Sequence, residues 1–479
     1  MRKSILSILL IICFAGAGAL RAENVGVPAE CEDVMLQAFY WDSYKLTKYG
    51  RTKWIDLLPD TAAITANFDL VWFPPSAKGG GVGYSPKQMS SQDSDWGTRT
   101  KLTQLIEALH AGNTKAIADI IVNHRGNNSS WCNFFSDNFG EFGTYQLTAE
   151  HICKNDEVNS STQAGSCKGA ATGANDTGTN FDGARDLDHT SEFVQNWVKA
   201  YTKWMLRVMQ YDGFRYDMTR GFRGTYLSMY NEEAKPYLSV SEYWESLTNT
   251  VNHLKATNYN TMVFDFPLKY SLSGIATSSY GKLNRDKALD GLRKQGLERY
   301  SVTFIDNHDT FERSDNQGGE FISYNADLST ASVKDKILQA NAYILMMPGV
   351  PCVFWPHWKS YQSEINELIA IRKRAGLHSE SEVTDETSGL NLYSATIKGH
   401  RGSVVLRLGS KRSTDVPEGY ELAVEGGERG AYTIFIKENA QGIEDIDSGA
   451  QRGQKFMKDG KLFIRHGENV YDILGNKIQ

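Results

Sequence analysis

The sequence lacks an excess of basic residues. Its 51 Lys and Arg are outnumbered by 57 Asp and Glu, which gives a net charge of −6 at neutral pH. The first 22 residues contain Arg2, Lys3 and Arg21 but no acid, so the charge without them is −9. A chain this acidic is repelled by phosphate groups and binds nucleic acid or an anionic membrane poorly. We therefore expect neither nucleic acid nor a membrane as a partner, and expect neutral molecules or cations instead.

Long hydrophobic runs are also lacking beyond the N-terminus. Residues 1–22 read MRKSILSILLIICFAGAGALRA, in which basic residues precede an apolar run and small residues follow it. This order is typical of a secretory signal peptide, with cleavage after Ala19 or Ala22. The apolar run at 5–15 is too short to span a bilayer. The alternative, a buried N-terminal helix, does not explain the basic start and the small-residue end, so we expect a secreted protein, periplasmic or extracellular.

Cysteine is scarce. Six are present, and five of them follow the predicted signal peptide, so at least one thiol is free. Cys153 and Cys167 lie close together in a loop-rich stretch and are the predicted disulfide. Cys352, within the apolar run VPCVFW, is expected to be an inert core thiol. The cysteine spacings match no zinc motif.

The composition is otherwise ordinary for a folded protein. Hydrophobic residues make up 41% of the chain and charged residues 23%, which excludes a mostly disordered chain. No low-complexity segment or internal repeat stands out. A length of 479 residues favours more than one domain.

Eight short apolar runs alternate with helical patterns along most of the chain. Several are apolar nearly throughout, as expected of strands buried on both faces. Between two of them, the stripe Leu102, Leu105, Ile106 and Leu109 indicates an amphipathic helix. This alternation predicts an α/β fold, a (β/α)8 TIM barrel, over residues 23–124 and 189–380. The eight runs are 34–41, 68–75, 116–124, 213–217, 237–244, 261–268, 301–309 and 350–355.

Three regions do not follow the barrel pattern. Residues 125–188, rich in Asn, Gly, Ser, Thr and Asp, are too long for a loop and predict a domain inserted after the third strand. Residues 385–437 alternate apolar and polar side chains, which predicts a C-terminal antiparallel β domain. The tail 438–479, whose role is unknown, is expected to form a hairpin with Asp459 and Gly460 as its turn.

Polar side chains end several of the predicted strands. Catalytic residues of barrel enzymes lie at the C-terminal ends of strands, so these side chains should meet at one mouth. Taken singly, each acid has a structural explanation, because a strand-end Asp often caps a helix and a lone Glu is often solvated. The joint occurrence of acids on three strands favours a catalytic site. The residues are Asn123 and His124 on the third strand, Arg215 and Asp217 on the fourth, Glu242 on the fifth, and Asn307, His308 and Asp309 on the seventh.

Four of these segments resemble the motif regions of the alpha-amylase family, glycoside hydrolase family 13. They are DIIVNH (119–124), GFRYDMTRG (213–221), VSEYW (240–244) and FIDNHD (304–309). Their order and spacing match the family, as does the insert after the third strand, and the resemblance covers residues 33–435. The pair Arg220-Gly221 is similar to the plant-type alpha-amylases, where many other members carry Lys-His.

The resemblance implies a retaining glycoside hydrolase in which Asp217 is the nucleophile and Glu242 is the general acid/base. It implies that Asp309 is a third carboxylate, which binds the sugar. Such hydrolysis needs one ionised carboxylate below the anomeric carbon and one protonated acid beside the leaving oxygen. Asp309, as a like charge, favours the protonated form of Glu242. Arg215 lies two residues before Asp217 on the same face of the strand and can keep it ionised.

The resemblance also implies residues that bind the sugar. His124 and His308 correspond to residues that form hydrogen bonds with hydroxyls of the glucose unit being cleaved. Tyr84, in GVGYSP, is similar to the tyrosine on which that unit stacks. The alternative for Tyr84 is an aromatic side chain that only packs a loop.

Calcium is the cofactor that the resemblance implies. Asn123 is similar to a family calcium ligand, and DTGTNFDGARDLDH (176–189) is similar to the segment that supplies others. Asp176 and Asp186 would bind through carboxylates, and Thr179 and Gly221 through carbonyls. These oxygens with added waters reach the six to eight ligands that calcium prefers. The alternative is that Asp176 and Asp186 only begin turns.

The predicted function is a secreted, endo-acting alpha-amylase that cleaves α-1,4-glucosidic bonds of starch-like glucans or maltooligosaccharides, acting as a monomer. A maltooligosaccharide-specific hydrolase or a glucanotransferase of the same family is the alternative enzyme. A non-catalytic glucan-binding protein on the same scaffold is disfavoured, because all three carboxylates are present.

Overall fold

The computed structural model describes residues 24–313, 327–429, 431–439, 454–458, 461–466 and 469–472. The predicted signal peptide, 1–22, lies outside the described residues. The chain divides into two compact units, the first ending at Lys437 and the second beginning at Glu438.

Eight parallel strands close into a barrel, which confirms the predicted fold. Each strand pairs with its neighbours in chain order, and the last pairs with the first, with Met35 opposite Cys352. Their side chains are almost entirely buried, as their apolar runs require. The strands are β1 (Met35–Gln37), β2 (Leu70–Trp72), β3 (Lys115–Ile120), β4 (Gly213–Tyr216), β5 (Ser239–Ser241), β6 (Met262–Phe264), β7 (Ser301–Phe304) and β8 (Val350–Phe354).

Helices surround the barrel. In the helix Arg99–Ala111, the Thr98 side chain accepts a hydrogen bond from the Lys101 N–H, and the helix ends at Gly112. Leu102, Leu105, Ile106 and Leu109 are its buried side chains, as their spacing predicts. The α-helices span Trp54–Leu57, Thr61–Thr65, Arg99–Ala111, Glu192–Arg207, Gly224–Ala234, Leu247–Ala256, Phe266–Ser271, Ser273–Ala276, Ala331–Met346, Trp355–Ser360 and Gln362–Ala375.

The segment after β3 has little regular structure. His124–Arg125 pairs with Arg185–Asp186, and Asp137–Asn138 pairs with Thr144–Tyr145. A buried ion pair anchors it, because Arg125 Nη1 lies 2.9 Å from Asp137 Oδ2. The same Asp137 oxygen accepts a hydrogen bond from the Trp197 indole at 2.9 Å, which ties the segment to the helix Glu192–Arg207.

The predicted disulfide between Cys153 and Cys167 is wrong. Cys167 is bonded to Cys132, 35 residues away in sequence, with the two Cα atoms 5.6 Å apart. Cys153 is a free, buried thiol, and so is Cys352, as its apolar surroundings predict. Short separation along the chain favoured Cys153, but the loop folds so that Cys132 is the residue beside Cys167.

A five-stranded antiparallel sheet follows the barrel, formed by β9 (Glu382–Gly389), β10 (Leu392–Lys398), β11 (Gly402–Leu408), β12 (Glu421–Gly426) and β13 (Tyr432–Glu438). The strands pair in the order β9-β10-β11-β13-β12. In β10, Tyr393, Ala395 and Ile397 are buried and alternate with more exposed residues. The first strand begins at Glu382, before the predicted boundary at 385; its sequence EVTDETSG lacks the apolar alternation of the others.

The second unit contains a separate antiparallel sheet of β14 (Gln454–Lys458), β15 (Lys461–His466) and β16 (Asn469–Asp472). Lys458 pairs with Lys461, and the predicted turn between them, Asp459 and Gly460, lies outside the described residues. Among the residues that the structure covers, no helix combines the length and the apolar character needed to cross a bilayer.

Candidate active site

A cavity of about 420 Å³ opens at the C-terminal ends of the barrel strands. It collects all three predicted catalytic acids on one surface, although they come from three different strands. Aromatic side chains make up much of the rest of its wall. The lining residues are Trp41, Tyr84, His124, Phe181, Asp217, Met218, Arg220, Glu242, Trp244, His308 and Asp309.

Arg215 connects the carboxylates below this cavity. Its side chain is 1% exposed, and its Nη1 donates to Asp217 Oδ1 and to Asp119 Oδ1, each at 2.8 Å. Its Nη2 forms an ion pair with Glu242 Oε2 at 3.0 Å. Arg215 and Asp217 are two residues apart at the end of β4 and so project from the same face. One planar guanidinium therefore holds acids from three neighbouring strands.

Backbone contacts also position Glu242. The Asp217 N–H donates to the Ile120 carbonyl of β3, and the Glu242 N–H donates to the Tyr216 carbonyl of β4. Met218 has a φ of +44°, a left-handed conformation that is uncommon for a residue other than glycine. In this conformation its N–H donates to Glu242 Oε2 at 2.8 Å. Glu242 is therefore held by Arg215 on one side and by the chain after Asp217 on the other.

The clustered acids perturb one another. Burial raises the pKa of Asp217 well above its usual range, the Arg215 cation opposes this shift, and the negative charge of Glu242 adds to it. Burial likewise raises the pKa of Asp119 to about 6, against the opposing effect of Arg215. Burial and the neighbouring negative charges therefore favour the protonated forms of Asp217 and Asp119, and Arg215 opposes this effect at both.

Asp309 is held at the cavity wall by two donors. Its Oδ1 accepts a hydrogen bond from Arg313 Nη1 at 2.6 Å, and its Oδ2 lies 3.2 Å from His308 Nε2. The Gln37 amide donates to His308 Nδ1 at 3.0 Å, which assigns the ring proton to Nε2. Burial holds the pKa of His308 well below its usual value, so the ring is neutral. A neutral His308 can therefore donate to Asp309 from Nε2.

Three aromatic rings beside the acids have nearly parallel planes. The planes of Trp41, Tyr84 and His308 lie within 4° of one another, and their centroids are 5.1–6.2 Å apart. The Tyr84 hydroxyl donates to Asp119 Oδ2 at 2.9 Å, which fixes the ring. The Arg313 guanidinium lies 3.4 Å from the centroid of Trp41. Such a surface combines an apolar face with polar edges.

His124 supports the loop that carries Tyr84. Its Nε2 lies 2.8 Å from the Tyr84 carbonyl oxygen, which only accepts, so Nε2 carries the proton. Burial lowers the pKa of His124 to about 4, and the ring is neutral at physiological pH. It also packs against the Phe181 ring at a centroid distance of 4.3 Å. The donor predicted for a sugar hydroxyl is thus bonded to a backbone carbonyl in this structure.

Sequence reasoning missed Asp119, Trp41, Trp244 and Arg313. Asp119 did carry a signal, because an acid within the apolar run AIADIIV must find a partner when the strand is buried. Trp244 follows Glu242 by two residues, stacks on Phe266 at 4.6 Å and donates its indole N–H to the Tyr270 hydroxyl at 2.7 Å. The sequence offered no comparable signal for its orientation or for that of Arg313.

The residues predicted to bind calcium lie together next to the cavity. Asp186 Oδ1 accepts a hydrogen bond from the Asn123 amide at 3.2 Å, and the Asp176 and Asp186 carboxyls are in contact. The Thr179 N–H donates to the Arg220 carbonyl at 2.9 Å, which places that loop beside Gly221. The inserted segment thereby meets the chain that follows β4.

Three observations support the fit of an oxygen-liganded cation to this group. Asp176 Oδ2 is buried and accepts no hydrogen bond from the part of the chain that the structure describes. Burial, with the neighbouring Asp176 carboxylate adding to it, raises the pKa of Asp186 to about 9. A Cβ added to Gly221 would lie 2.0 Å from Asn123 Oδ1, so only glycine leaves room for that oxygen. Carboxylate, amide and carbonyl oxygens are the ligands that Ca²⁺ prefers.

Barrel enzymes carry their catalytic residues at the C-terminal ends of the strands. Glycoside hydrolases act with a pair of carboxyl groups, and this barrel has carboxylates at that end around a buried arginine. Residues 65–357, more than half of the chain, match the family model described as "Alpha amylase, catalytic domain". The chain belongs to the alpha-amylase family and is a glycoside hydrolase.

Similar proteins include two from Arabidopsis thaliana. "Probable alpha-amylase 2" is 30% identical over 387 residues, which cover 76% of this chain and 86% of that protein. "Alpha-amylase 3, chloroplastic" is 29% identical over 414 residues, 82% of this chain but only 43% of that longer protein. A solved alpha-amylase from Malbranchea cinnamomea has the same fold, with a TM-score of 0.60, 16% identity, and coverage of 85% of this chain and 96% of that one.

Proposed function

We propose that this protein is a secreted, endo-acting alpha-amylase that hydrolyses α-1,4-glucosidic bonds of starch-like glucans with retention of configuration. The observation that carries the proposal is that one guanidinium, that of Arg215, pairs with both Asp217 and Glu242. Both acids line the same cavity as Asp309. Retaining enzymes need their two carboxyl groups close together, and this bridge supports such spacing.

In the proposed mechanism, Asp217 attacks the anomeric carbon while Glu242 donates a proton to the leaving glycosidic oxygen. The C1–O bond breaks and a covalent glucosyl–Asp217 ester forms. Glu242, now ionised, takes a proton from a water molecule, which attacks C1 and releases Asp217. Arg215 orients Asp217 and stabilises its ionised form. The Met218 N–H holds the Glu242 carboxyl in place through both steps.

The remaining cavity residues are proposed to bind the glucan. Tyr84 and Trp41 supply the parallel rings on which a sugar face packs. Asp309 accepts hydrogen bonds from hydroxyls of the glucose unit being cleaved, and His308 donates from Nε2. His124 contributes at the same subsite, by contact with the sugar and by holding the Tyr84 carbonyl.

Amide substitutions test the assignment of the acids. Asp217→Asn and Glu242→Gln should each lower kcat on soluble starch by about 1,000-fold or more, because each removes a group that acts only in the transition state. Asp212→Asn is the matched control, since Asp212 lies just before β4, at the opposite end of the strand, where it accepts a hydrogen bond from the Ala116 N–H at 2.8 Å. Equal release of reducing sugar by the wild type and Asp217→Asn would disprove the mechanism.

Product analysis tests retention and endo-action. NMR of fresh products should show the α-anomer before mutarotation, and the iodine colour of starch should fall before much reducing sugar appears. A single product length from the start would instead indicate a maltooligosaccharide-specific hydrolase. Cyclic or lengthened products would indicate a glucanotransferase.

We further propose that Asn123, Asp176, Thr179, Asp186 and Gly221 hold a calcium ion that joins the inserted segment to the barrel. Calcium binding to the folded state should raise the thermal midpoint, and chelation should lower it. Asp186→Asn should abolish this response, whereas Asp182→Asn, an exposed acid of the same loop, should keep it. A midpoint that neither chelator nor added calcium changes would contradict the site.

We propose that the protein is secreted, because residues 1–22 have the pattern of a signal peptide. Expression of the full chain in a bacterium should yield exported protein whose N-terminal sequence starts at Leu20 or Glu23. Full-length protein retained in the cytoplasm would refute the proposed signal peptide.

A further inference from the structure

Histidine and glutamate side chains from three distant segments meet away from the active site, at the end of the barrel where the strands begin. Glu30 precedes β1, His378 follows the helix Gln362–Ala375, and His400 lies in the turn between β10 and β11. Each offers one ligand atom, and these atoms all lie within 4.8 Å of one another.

The spacing of two of these atoms matches a tetrahedral metal site. His400 Nε2 lies 3.5 Å from Glu30 Oε2. Two ligands bound to one Zn²⁺ at about 2.1 Å are about 3.4 Å apart when the geometry is tetrahedral. His378, only 7% exposed, packs beside the His400 ring with the centroids 4.2 Å apart. One cation can therefore be reached by all three side chains.

A further carboxylate, that of Glu32, orients the His400 ring so that Nε2 faces Glu30. His400 Nδ1 lies 3.0 Å from Glu32 Oε1, and since a carboxylate accepts, Nδ1 carries the proton. The lone pair is then on Nε2, the atom that faces Glu30. Arg401 in turn binds both oxygens of Glu32, at 3.1 and 2.5 Å. A carboxylate behind a ligating histidine is the usual outer arrangement of a metal-bound imidazole.

We propose that Glu30, His378 and His400 form a Zn²⁺ site, with Glu32 as the outer partner of His400 and water as the remaining ligand. Two imidazoles and one carboxylate suit Zn²⁺, whereas Ca²⁺ and Mg²⁺ prefer oxygen ligands throughout. The charges around the two rings are balanced, because Glu30, Glu32 and Glu380 face Arg401, Arg299 and Arg372. The proposal therefore rests on the donor atoms and their spacing.

Binding requires a small rearrangement of the rings. Their planes are 15° from parallel, so one ring must turn for both lone pairs to point at one ion. The His400 side chain is 42% exposed and has the space to turn. His378 Nδ1 accepts a long hydrogen bond of 3.3 Å from the Glu380 N–H, and a metal bond at Nδ1 replaces it. The ion would connect the chain before β1 to the β10–β11 turn, and so tie the C-terminal sheet to the barrel.

Titration calorimetry with Zn²⁺ tests the site on tag-free, full-length protein that has been stripped of transition metals and saturated with calcium. The wild type should bind one Zn²⁺ and gain several degrees in thermal midpoint, whereas Mg²⁺ should have no effect. His400→Ala and Glu30→Gln should abolish the binding. Glu32→Gln should weaken it about 10- to 100-fold, since it removes only the outer partner.

His110→Ala is the matched control, because His110 also pairs with an acid, Asp212 at 2.8 Å, but lies outside this group. It should bind Zn²⁺ like the wild type. Starch hydrolysis and the thermal midpoint without Zn²⁺ show that each variant is folded. Absence of Zn²⁺ binding by the wild type at millimolar concentration, or undiminished binding by both His400→Ala and Glu30→Gln, would overturn the proposal.

Discussion

At the scale of single residues, Arg215 sets the electrostatics of the proposed active site. It is buried and paired with Asp119, Asp217 and Glu242 at 2.8–3.0 Å. A buried cation with three acidic partners has its charge fully compensated, while each acid gains a positively charged partner. This compensation explains how several carboxylates can lie at one cavity without destabilising the fold.

Replacing Arg215 should change the pH dependence of catalysis. Because the Arg215 cation lowers the pKa of Asp217, Arg215→Gln should raise that pKa further and move the acidic limb of the kcat/KM profile to higher pH. We expect a loss of at least 100-fold in kcat, with partial recovery in Arg215→Lys, which restores the charge but not the planar fork. An acidic limb that stays in place or moves to lower pH would contradict this role.

His189 makes the fold sensitive to acid. Burial lowers its pKa from 6.5 to about 4, and its ring bonds the Tyr230 hydroxyl at 2.7 Å and the Val122 carbonyl at 3.0 Å. Between pH 6.5 and 4 the unfolded state binds this proton and the folded state does not, so stability falls as the pH is lowered. The expected loss is about 3 kcal/mol across this window.

Thermal midpoints of the wild type and His189→Gln between pH 7 and pH 4 measure this contribution. The variant should be less stable at pH 7 but should lose less stability on acidification. Equal pH slopes for the two proteins would show that His189 does not contribute.

The inserted segment shows how irregular elements are held together. It has only short strand pairs, and the buried Arg125–Asp137 pair and the Cys132–Cys167 disulfide add specific cross-links. The loop that follows Asp176 then contacts the chain after β4, where the proposed calcium ligands meet. The segment also buries apolar side chains such as Phe139, Ile152 and Val158 in the core. Cross-links and buried apolar contacts together can thus position side chains of a segment of low regularity at the proposed active site.

Peptide mapping without reduction should recover Cys132 linked to Cys167, with Cys153 alkylated only after denaturation. Closing a 35-residue loop restricts the unfolded chain, so Cys132→Ser should cost about 4 kcal/mol of stability, measured by denaturant unfolding. Cys153→Ala is the control and should cost no more than a small core truncation. A peptide that links Cys153 to Cys167 would refute the observed pairing.

The whole molecule consists of a catalytic unit and a small separate unit. Every residue of the proposed active site, and of both proposed metal sites, lies in the first unit, which ends at Lys437. The barrel is closed by hydrogen bonds between β8 and β1, so the first unit needs no strand from the second to complete its sheet.

A chain that ends at Asn439 should therefore keep its activity. We expect kcat/KM on soluble starch within about twofold of the full-length value, because neither the cavity nor the barrel loses a residue. Assays of the two proteins at matched concentrations check this. A loss of more than tenfold would show that the residues after 439 contribute to catalysis.

The sequence by itself determined the barrel and the meeting of the three acids. Eight apolar runs that alternate with helical patterns predict a parallel sheet covered by helices, and a barrel of such strands brings their C-terminal ends to one rim. Asp217, Glu242 and Asp309 were predicted together for this reason. Strand β9 escaped prediction because its polar sequence lacks the alternation that marks a half-buried strand.

Only the tertiary structure decided which side chains touch. The bridge from Arg215 to Asp119, the pairing of Cys132 with Cys167, and the grouping of Glu30 with His378 and His400 each join residues far apart in sequence. Hydrophobic patterning reports whether a residue is buried, but it carries no information on which distant residue lies a few ångströms away. Those contacts follow from the packing of loops and helix ends around the barrel, where a shift of one residue changes every partner.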